Sequence, residues 1–305
     1  MKWLRRIFYV VLVLAVIGAG AYYWFFLDSR VPEGTYAIDI AEVRKLADAV
    51  PGDKPVEIRA EQIFSFKFPM AAMVAGGGWE QTDVPVYSYQ VAYADHAIVI
   101  DTAVAEEMKD NPEYGPSFDA AAYARMQTAM LTATDVVITH EHPDHIGGLI
   151  ASPNLAAVLT HSSLTKTQVD HTEERSGMNF PEGALDSYQP LTYEKYHALA
   201  PGVVLIEAPG HTPGSQLVYV KRADGTEFLF LGDVAWRFES VETLAARPRA
   251  VSDYFLKEDR EAVLLELAEF KRLHAAEPAL IMVPGHDAEH MAELFGAGLL
   301  VKEFK

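Results

Sequence analysis

The chain has 305 residues, half of them hydrophobic, enough to bury a sizeable core in one large domain or two small ones. A formal net charge of −18 argues against nucleic acid as a partner, because phosphate recognition rests on Lys and Arg, and its plain reading is solubility. The absence of cysteine excludes structural disulfides, thiolate zinc ligands and a cysteine nucleophile, and leaves the redox compartment open.

Residues 1–30 read apart from the rest. Lys2, Arg5 and Arg6 precede a run, residues 7–27, that carries no charge. A helix needs ~20 residues to cross the hydrocarbon core, so the run is long enough. The aromatic cluster Tyr22, Tyr23, Trp24, Phe25 and Phe26 suits the far membrane interface, and the basic end should stay inside. The expectation is a transmembrane anchor over 1–30 with residues 31–305 on the outer, periplasmic or extracytoplasmic side. Ala19-Gly20-Ala21 offers the alternative of a cleaved signal segment, but the apolar run continues past it through "YYWFFL".

Beyond the anchor, "AEVRKLADAV" predicts a short helix, and "EIRAEQIFSFKF", "VYSYQVAYA" and "AIVIDTA" predict strands. Between the first two strands lies a glycine-marked loop whose Met70, Met73, Val74 and Trp79 either pack beneath the domain or form an apolar lip or lipid contact. "SFDAAAYARMQTAML" predicts a helix with Ser117 as a cap. "DVVIT" and "AAVLT" read as buried strands, the second followed by helical "SSLTKTQVD". Residues 172–200 are polar and irregular, as an insertion would be. "GVVLIEA", "SQLVYVKR" and "EFLFLGD" predict three strands, the last two joined by a tight turn at Asp224-Gly225. A long amphipathic helix over "KEDREAVLLELAEFKRLHAA" then leads to the strand "ALIMV".

The chemistry concentrates in "VVITHEHPDHIGGL". An extended chain after the strand points His140 and His142 to the same side, and Pro143 keeps His142 extended before a turn. Asp144 and His145 follow and leave the backbone in different directions, so one loop can feed two adjacent metals. Glu141 should point away from the histidine pair, so its substitution by Gln is expected to matter little. A histidine-rich surface loop is the plain alternative, but four ligand-type residues at this spacing after a buried strand speak against it. With no thiolate available, imidazole and carboxylate are the ligands left. Three more ligand-type residues repeat one grammar, a strand, then Gly, then the ligand: His211, Asp233 and His286. The remaining histidines, His96, His161, His171, His197, His274 and His290, lack partners at ligand spacing. Of these, only His171 and His197 lie in a segment that could reach the site mouth.

This H-x-H-x-D-H pattern followed by His, Asp and His resembles the metallo-β-lactamase fold superfamily, over roughly residues 56–290. "AIVIDTA", ending its strand at Asp101, is similar to the superfamily's early strand motif. The resemblance implies an α+β, four-layer αββα sandwich of two mixed sheets with a metal site at one sheet edge. It implies that His140, His142 and His211 hold a first divalent ion, that Asp144, His145 and His286 hold a second, that Asp233 bridges both, and that Asp101 orients the metal loop from behind. Zinc is the first expectation for both ions, with iron, manganese or cobalt as alternatives.

Two such ions ~3.5–4 Å apart can hold a hydroxide and polarise a carbonyl or phosphoryl oxygen. The expected reaction is hydroxide attack on an ester-like carbonyl, with Asp144 or Asp233 relaying the proton to the leaving oxygen. The Asp-bridged set resembles glyoxalase II-type thioesterases, acyl-homoserine-lactone lactonases and some phosphodiesterases. The order of the later motifs leans to the lactonase branch, hence to a small lactone or carboxylic ester as substrate. Those lactonases commonly carry a Tyr three residues after the bridging Asp. Here that position is Trp236, which can pack on an acyl chain but has no phenol to assist the carbonyl. An outward-facing domain suits an amphiphilic lactone better than a cytoplasmic thioester. A membrane-anchored metal-binding module without catalysis is the reading from a different class.

Overall fold

The computed structural model describes residues 2–111 and 115–305. Helix α1 (Lys2–Tyr22) continues through one π-helical turn, Tyr23–Leu27, and buries none of its residues. Together they form a helix long and apolar enough to cross a membrane. Helix α2 (Ile40–Ala49) starts at Asp39, whose carboxylate accepts from the Ala41 and Glu42 N–H groups. Strands β1 (Glu57–Pro69), β2 (Gln81–Ala92), β3 (Ala97–Ile100) and β4 (Asp135–Val137) of the first sheet follow, with short α3 (Met70–Met73) between β1 and β2 and α4 (Ala120–Thr132) between β3 and β4. Then come α5 (Pro143–Ile150), α6 (Leu155–Leu159) and α7 (Lys166–Ser176). The second sheet follows as β5 (Tyr196–Ala200), β6 (Val203–Glu207), β7 (Gln216–Lys221) and β8 (Glu227–Gly232). After α8 (Phe238–Thr243), α9 (Arg249–Val251) and α10 (Arg260–Ala276), β9 (Leu280–Pro284) joins it. Helix α11 (Ala288–Gly296) and β10 (Val301–Lys302) return the chain to the first sheet.

The strand orders are β10-β1-β2-β3-β4 and β5-β6-β7-β8-β9. The β1–β10, β3–β4 and β8–β9 pairs are parallel and the others antiparallel, so both sheets are mixed. Alternation along the strands makes the layers. Val203, Leu205, Val218, Val220, Phe228 and Phe230 face the other sheet and meet Ile58, Tyr89, Val91, Ile98 and Ile100. Their neighbours Val204, Ile206, Leu217, Tyr219 and Leu229 face outward, under Val43 of α2 and Val263, Leu267 and Phe270 of α10. On the opposite side Ile63, Val86, Val99 and Val136 lie beneath Met126 and Met130 of α4 and Ile146 and Leu149 of α5. The result is the expected four-layer αββα sandwich.

Local expectations fail where short runs gave no period to read. "AAVLT" is not a strand: Leu155, Val158 and Leu159 sit at helical spacing on the buried face of α6. The cap of α4 is Asp119, which accepts from the Ala121 and Ala122 N–H groups, while Ser117 lies in a separate 3-10 turn. In residues 172–200, α7 runs on to Ser176, and an edge strand, β5, is added near the end. The apolar loop residues divide: Met73 and Val74 are buried, whereas Trp79 is exposed.

Asp135 opens β4 with one carboxylate oxygen accepting from Ser163 Oγ at 3.0 Å and the other buried without a partner. Burial pushes its carboxyl up to about 7. A raised carboxyl pKa means that the folded chain holds a proton the unfolded chain releases, so stability is full below the unfolded value and falls as pH rises through 7. Asp135→Asn should therefore gain stability at pH 8, by at least about 1 kcal/mol, and gain little at pH 4. Thermal melts across this range check it; an equal effect at both ends would refute the burial argument.

Candidate metal centre

Strands β6 and β8 both run antiparallel to β7, and β9 runs parallel to β8, so the three end on the same side. Their ends lead to His211, Asp233 and His286. In the facing sheet the parallel pair β3 and β4 leads to Asp101 and to the loop of residues 140–145. The sheets are stitched together at this edge. The Gln216 N–H donates to the Thr139 carbonyl and its Nε2 to the Ile138 carbonyl, each at 2.8 Å. Gly232 approaches so closely, at φ +50°, that a Cβ there would lie 3.1 Å from that of Thr139.

Two ligand groups result. His140, His142, His211 and Asp233 form one; Asp144, His145, Asp233 and His286 form the other; within each the ligand atoms lie within 4.8 Å of one another. His142 Nδ1 lies 3.1 Å from His140 Nε2 and 2.9 Å from His211 Nε2. Asp233 Oδ2 lies 3.7 and 3.6 Å from those two Nε2 atoms. In the second group Asp233 Oδ1 lies 3.2 Å from His145 Nε2 and 3.1 Å from His286 Nε2, and Asp144 Oδ2 lies 3.5 Å from His286 Nε2. Ligands of a tetrahedral ion with bonds near 2.0–2.1 Å stand roughly 3.3 Å apart, so the spacings fit. His145 Nε2 and Asp233 Oδ1 are moreover buried without a hydrogen-bond partner, which a cation between them would cure.

The outward nitrogen of the rings explains their aim. His145 Nδ1 donates to Asp101 Oδ2 at 2.8 Å, His211 Nδ1 to Glu258 Oε1 at 2.6 Å, and His286 Nδ1 to the Pro85 carbonyl at 2.8 Å. Thr139 Oγ1 donates to Asp101 and accepts from His140 Nδ1 at 3.2 Å. Each of these four rings is thereby left with Nε2 free to face the group, while His142 presents Nδ1. Asp101 also accepts from the Thr139 N–H, and its backbone holds φ +59°, a conformation Asp tolerates better than most residues.

Burial pushes the His140 and His142 imidazoles well below their usual range, keeping them in the neutral form that binds metal. His145 and His286 go the other way. Burial opposes their charge, but the carboxylates together outweigh it, Asp233, Asp101 and Asp144 at His145 and Asp233 and Asp144 at His286, so the second group is a negative well that calls for a cation.

Two residues near the centre, Glu258 and Arg247, escaped the sequence reading, and the role of a third, Glu141, is corrected. Glu258 sits behind His211; its burial is outweighed by Arg247 and His211, which hold its carboxyl below the usual range. Arg247 also lies 5.0 Å from the centre of the Trp236 ring. Glu141 does not act as a bystander. It is fully buried, and its two oxygens accept from Thr212 Oγ1 at 2.7 Å and the Gly214 N–H at 3.0 Å, tying the first metal loop to the His211 loop. Gln could not accept both bonds without turning an amide N–H toward a donor. No local signal marks Glu258, which reads as one charge among several before α10. Trp236 is buried, with its indole N–H donating to Asp233 Oδ2 at 2.6 Å and its ring edge-on to His286. The other histidines lie outside both groups: His161 and His290 bond the carbonyls of Met130 and Met282, and His96 stacks on Tyr93. Asp144, 23 % exposed, is the most open of the ligand-type residues.

Paired ligand groups sharing one carboxylate at the edge of an αββα sandwich define a dinuclear metal protein. The chain belongs to the metallo-beta-lactamase superfamily, whose family model matches residues 81–286. It is similar to an N-acyl homoserine lactonase of a Bacillus species, 23% identical over 228 residues that cover 69% of this chain and 84% of the relative. In fold it is similar to a quorum-quenching N-acyl homoserine lactone hydrolase, with a TM-score of 0.62 at 18% identity, covering 79% of this chain and 96% of that one. AidC, a dizinc quorum-quenching lactonase, matches with a TM-score of 0.51 at 14% identity over 78% and 90% of the two chains.

Asp101→Asn keeps the backbone conformation and the acceptor for the Thr139 N–H but removes the charge facing His145. It should weaken zinc binding about 10- to 100-fold. Chelator competition on the full-length protein in detergent measures this, and unchanged affinity would refute an orienting role for Asp101.

Proposed function

We propose that this protein is a dinuclear metal-dependent hydrolase that opens lactones of the acyl-homoserine-lactone type. The observation that carries this reading is the pair of ligand groups sharing Asp233, set in a chain whose lactonase relative is matched over 84% of its length. Zinc is the proposed metal in both groups: the nitrogen and oxygen donors suit it, and one fold relative is described as dizinc. Two divalent ions held there would supply Lewis acidity toward the carbonyl oxygen and lower the pKa of water toward neutrality.

The chain's own groups take the remaining roles. His140, His142 and His211 hold the first ion, Asp144, His145 and His286 the second, and Asp233 both. Asp101, Thr139 and Glu258 fix the rings through their Nδ1 atoms. Asp144 lies on the open side and is the group placed to carry a proton to the leaving alkoxide oxygen. Asp233 is enclosed, and the Trp236 N–H holds its Oδ2, so its part is to stay charged between the groups. The indole thus supports the bridging carboxylate.

Residues 1–30 serve as a membrane anchor, and residues 31–305 form the catalytic domain. Lys2, Arg5 and Arg6 before the apolar run favour an outward-facing domain. An acyl lactone that crosses membranes is accessible to an enzyme placed there.

The full-length protein, loaded with zinc in detergent, should release protons from a medium-chain acyl-homoserine lactone faster than from a simple thioester, a phosphodiester or a β-lactam. His142→Ala should lower lactone turnover at least about 100-fold and lose bound metal by elemental analysis. Thioester or phosphodiester turnover without lactone opening would overturn the substrate; full activity in His142→Ala would overturn the site.

A further inference from the structure

The end of the apolar helix is clamped to the domain. Asp28, buried just beyond it, pairs with Arg30 at 2.7 Å and Arg249 at 3.2 Å, and its carbonyl accepts from the buried Arg260 guanidinium. The Arg249 guanidinium lies 4.0 Å from the centre of the Trp24 ring. The helix therefore leaves the domain at a fixed place, beside a loop and the π-helical turn Ser252–Leu256. One carries Trp79, whose ring centre lies 5.9 Å from that of Phe26; the other carries Tyr254, 6.0 Å from Phe25.

These same two segments hold aromatic surface that the fold does not cover. Trp79 is 62% exposed, Tyr254 69% and Phe255 70%, the highest values among the large hydrophobic residues described beyond the helix. Aromatic rings concentrate at the headgroup layer of a membrane, with the apolar body toward lipid and any polar tip toward water. In and next to these segments, Met73, Val74 and Leu256 pack with Phe68 and Trp236, and Trp236 meets His286 of the second ligand group. An apolar layer therefore connects the exposed aromatic rim to the metal centre.

We propose that Trp79, Tyr254 and Phe255 seat the domain in the outer lipid headgroup layer. The enzyme then takes substrates whose acyl chain is already dissolved in the bilayer. The substrate half of this rests on the lactone reading above; the seat does not. Lipid is the occupant because the face is continuous with the helix proposed to cross the bilayer.

The absence of cysteine makes the test clean. Single substitutions Tyr254→Cys, Trp79→Cys and, as a control away from this face, Leu131→Cys are spin-labelled in the full-length protein in phosphatidylcholine vesicles. Collisions with oxygen and with a water-soluble nickel chelate are then compared. Labels at 254 and 79 should collide mainly with oxygen and the label at 131 mainly with nickel; equal nickel access at all three overturns the seat. In the same vesicles, Tyr254→Asp combined with Phe255→Asp should raise KM for a long-chain lactone about tenfold and leave a short-chain, water-soluble lactone unchanged. Equal changes for both substrates, or none, overturn the route from the membrane. No turnover of either lactone by the parent protein overturns the catalytic reading and the route with it, while label accessibility still decides the seat.

Discussion

A single buried carboxylate organises the functional edge of this protein. Asp233 lies at the end of β8 with almost no access to water, and its two oxygens face two different clusters of imidazoles. An isolated buried carboxylate is costly, and only nearby positive charge makes it tolerable. His286 and His145 act against its burial and hold it well below the usual carboxylate range. Its Oδ1 nevertheless lacks a hydrogen-bond partner, as does the facing His145 Nε2. The site is therefore complete as an arrangement of donors for cations.

The surrounding structure keeps those donors aimed. Three imidazoles give Nδ1 to oxygens that come from separate parts of the chain: Asp101 after β3, Glu258 before α10 and the Pro85 carbonyl within β2. Loops are mobile when their ends alone are fixed, but these are held by cross-links between the sheets. The Glu141 bonds to the His211 loop and the Gln216 bonds to the strand end before His140 do the same for the backbone. The αββα core beneath fixes which strand ends meet at this edge, because alternating side chains allow each strand only one face toward the other sheet.

The same economy appears where the apolar helix meets the domain. Asp28, Arg249 and Arg260 turn what would be a flexible junction into a fixed angle between helix and domain. The cost of burying the Arg260 charge is met by carbonyls and hydroxyls, including those of Asp28, Arg247 and Ser252. Arg247 in turn lies against Glu258 and Trp236, so the anchoring network borders the network behind His211.

Much of this was legible in the residues. Seven metal-capable side chains declared themselves because each follows an apolar run that reads as a strand, and a strand end is where a mixed sandwich exposes side chains at its edge. The long strands, α2, α4 and α10 were legible for the same reason: their period runs long enough to be unambiguous. Short segments were not, and "AAVLT" became α6 because five residues cannot distinguish two periods from one another. The role of Glu141 was misread because alternation shows which side a residue faces but not what waits there. Glu258, Arg247 and the Trp236–Asp233 bond were invisible, since each depends on residues far apart in sequence meeting across the fold. The sequence alone determined the ligand types and the apolar helix, both set by local pattern and residue chemistry, while the sandwich was implied by the family resemblance its motifs carry. Only the tertiary structure decided which oxygen fixes each imidazole, how the helix joins the domain and which aromatic residues stay uncovered, because those outcomes arise from packing between separate segments.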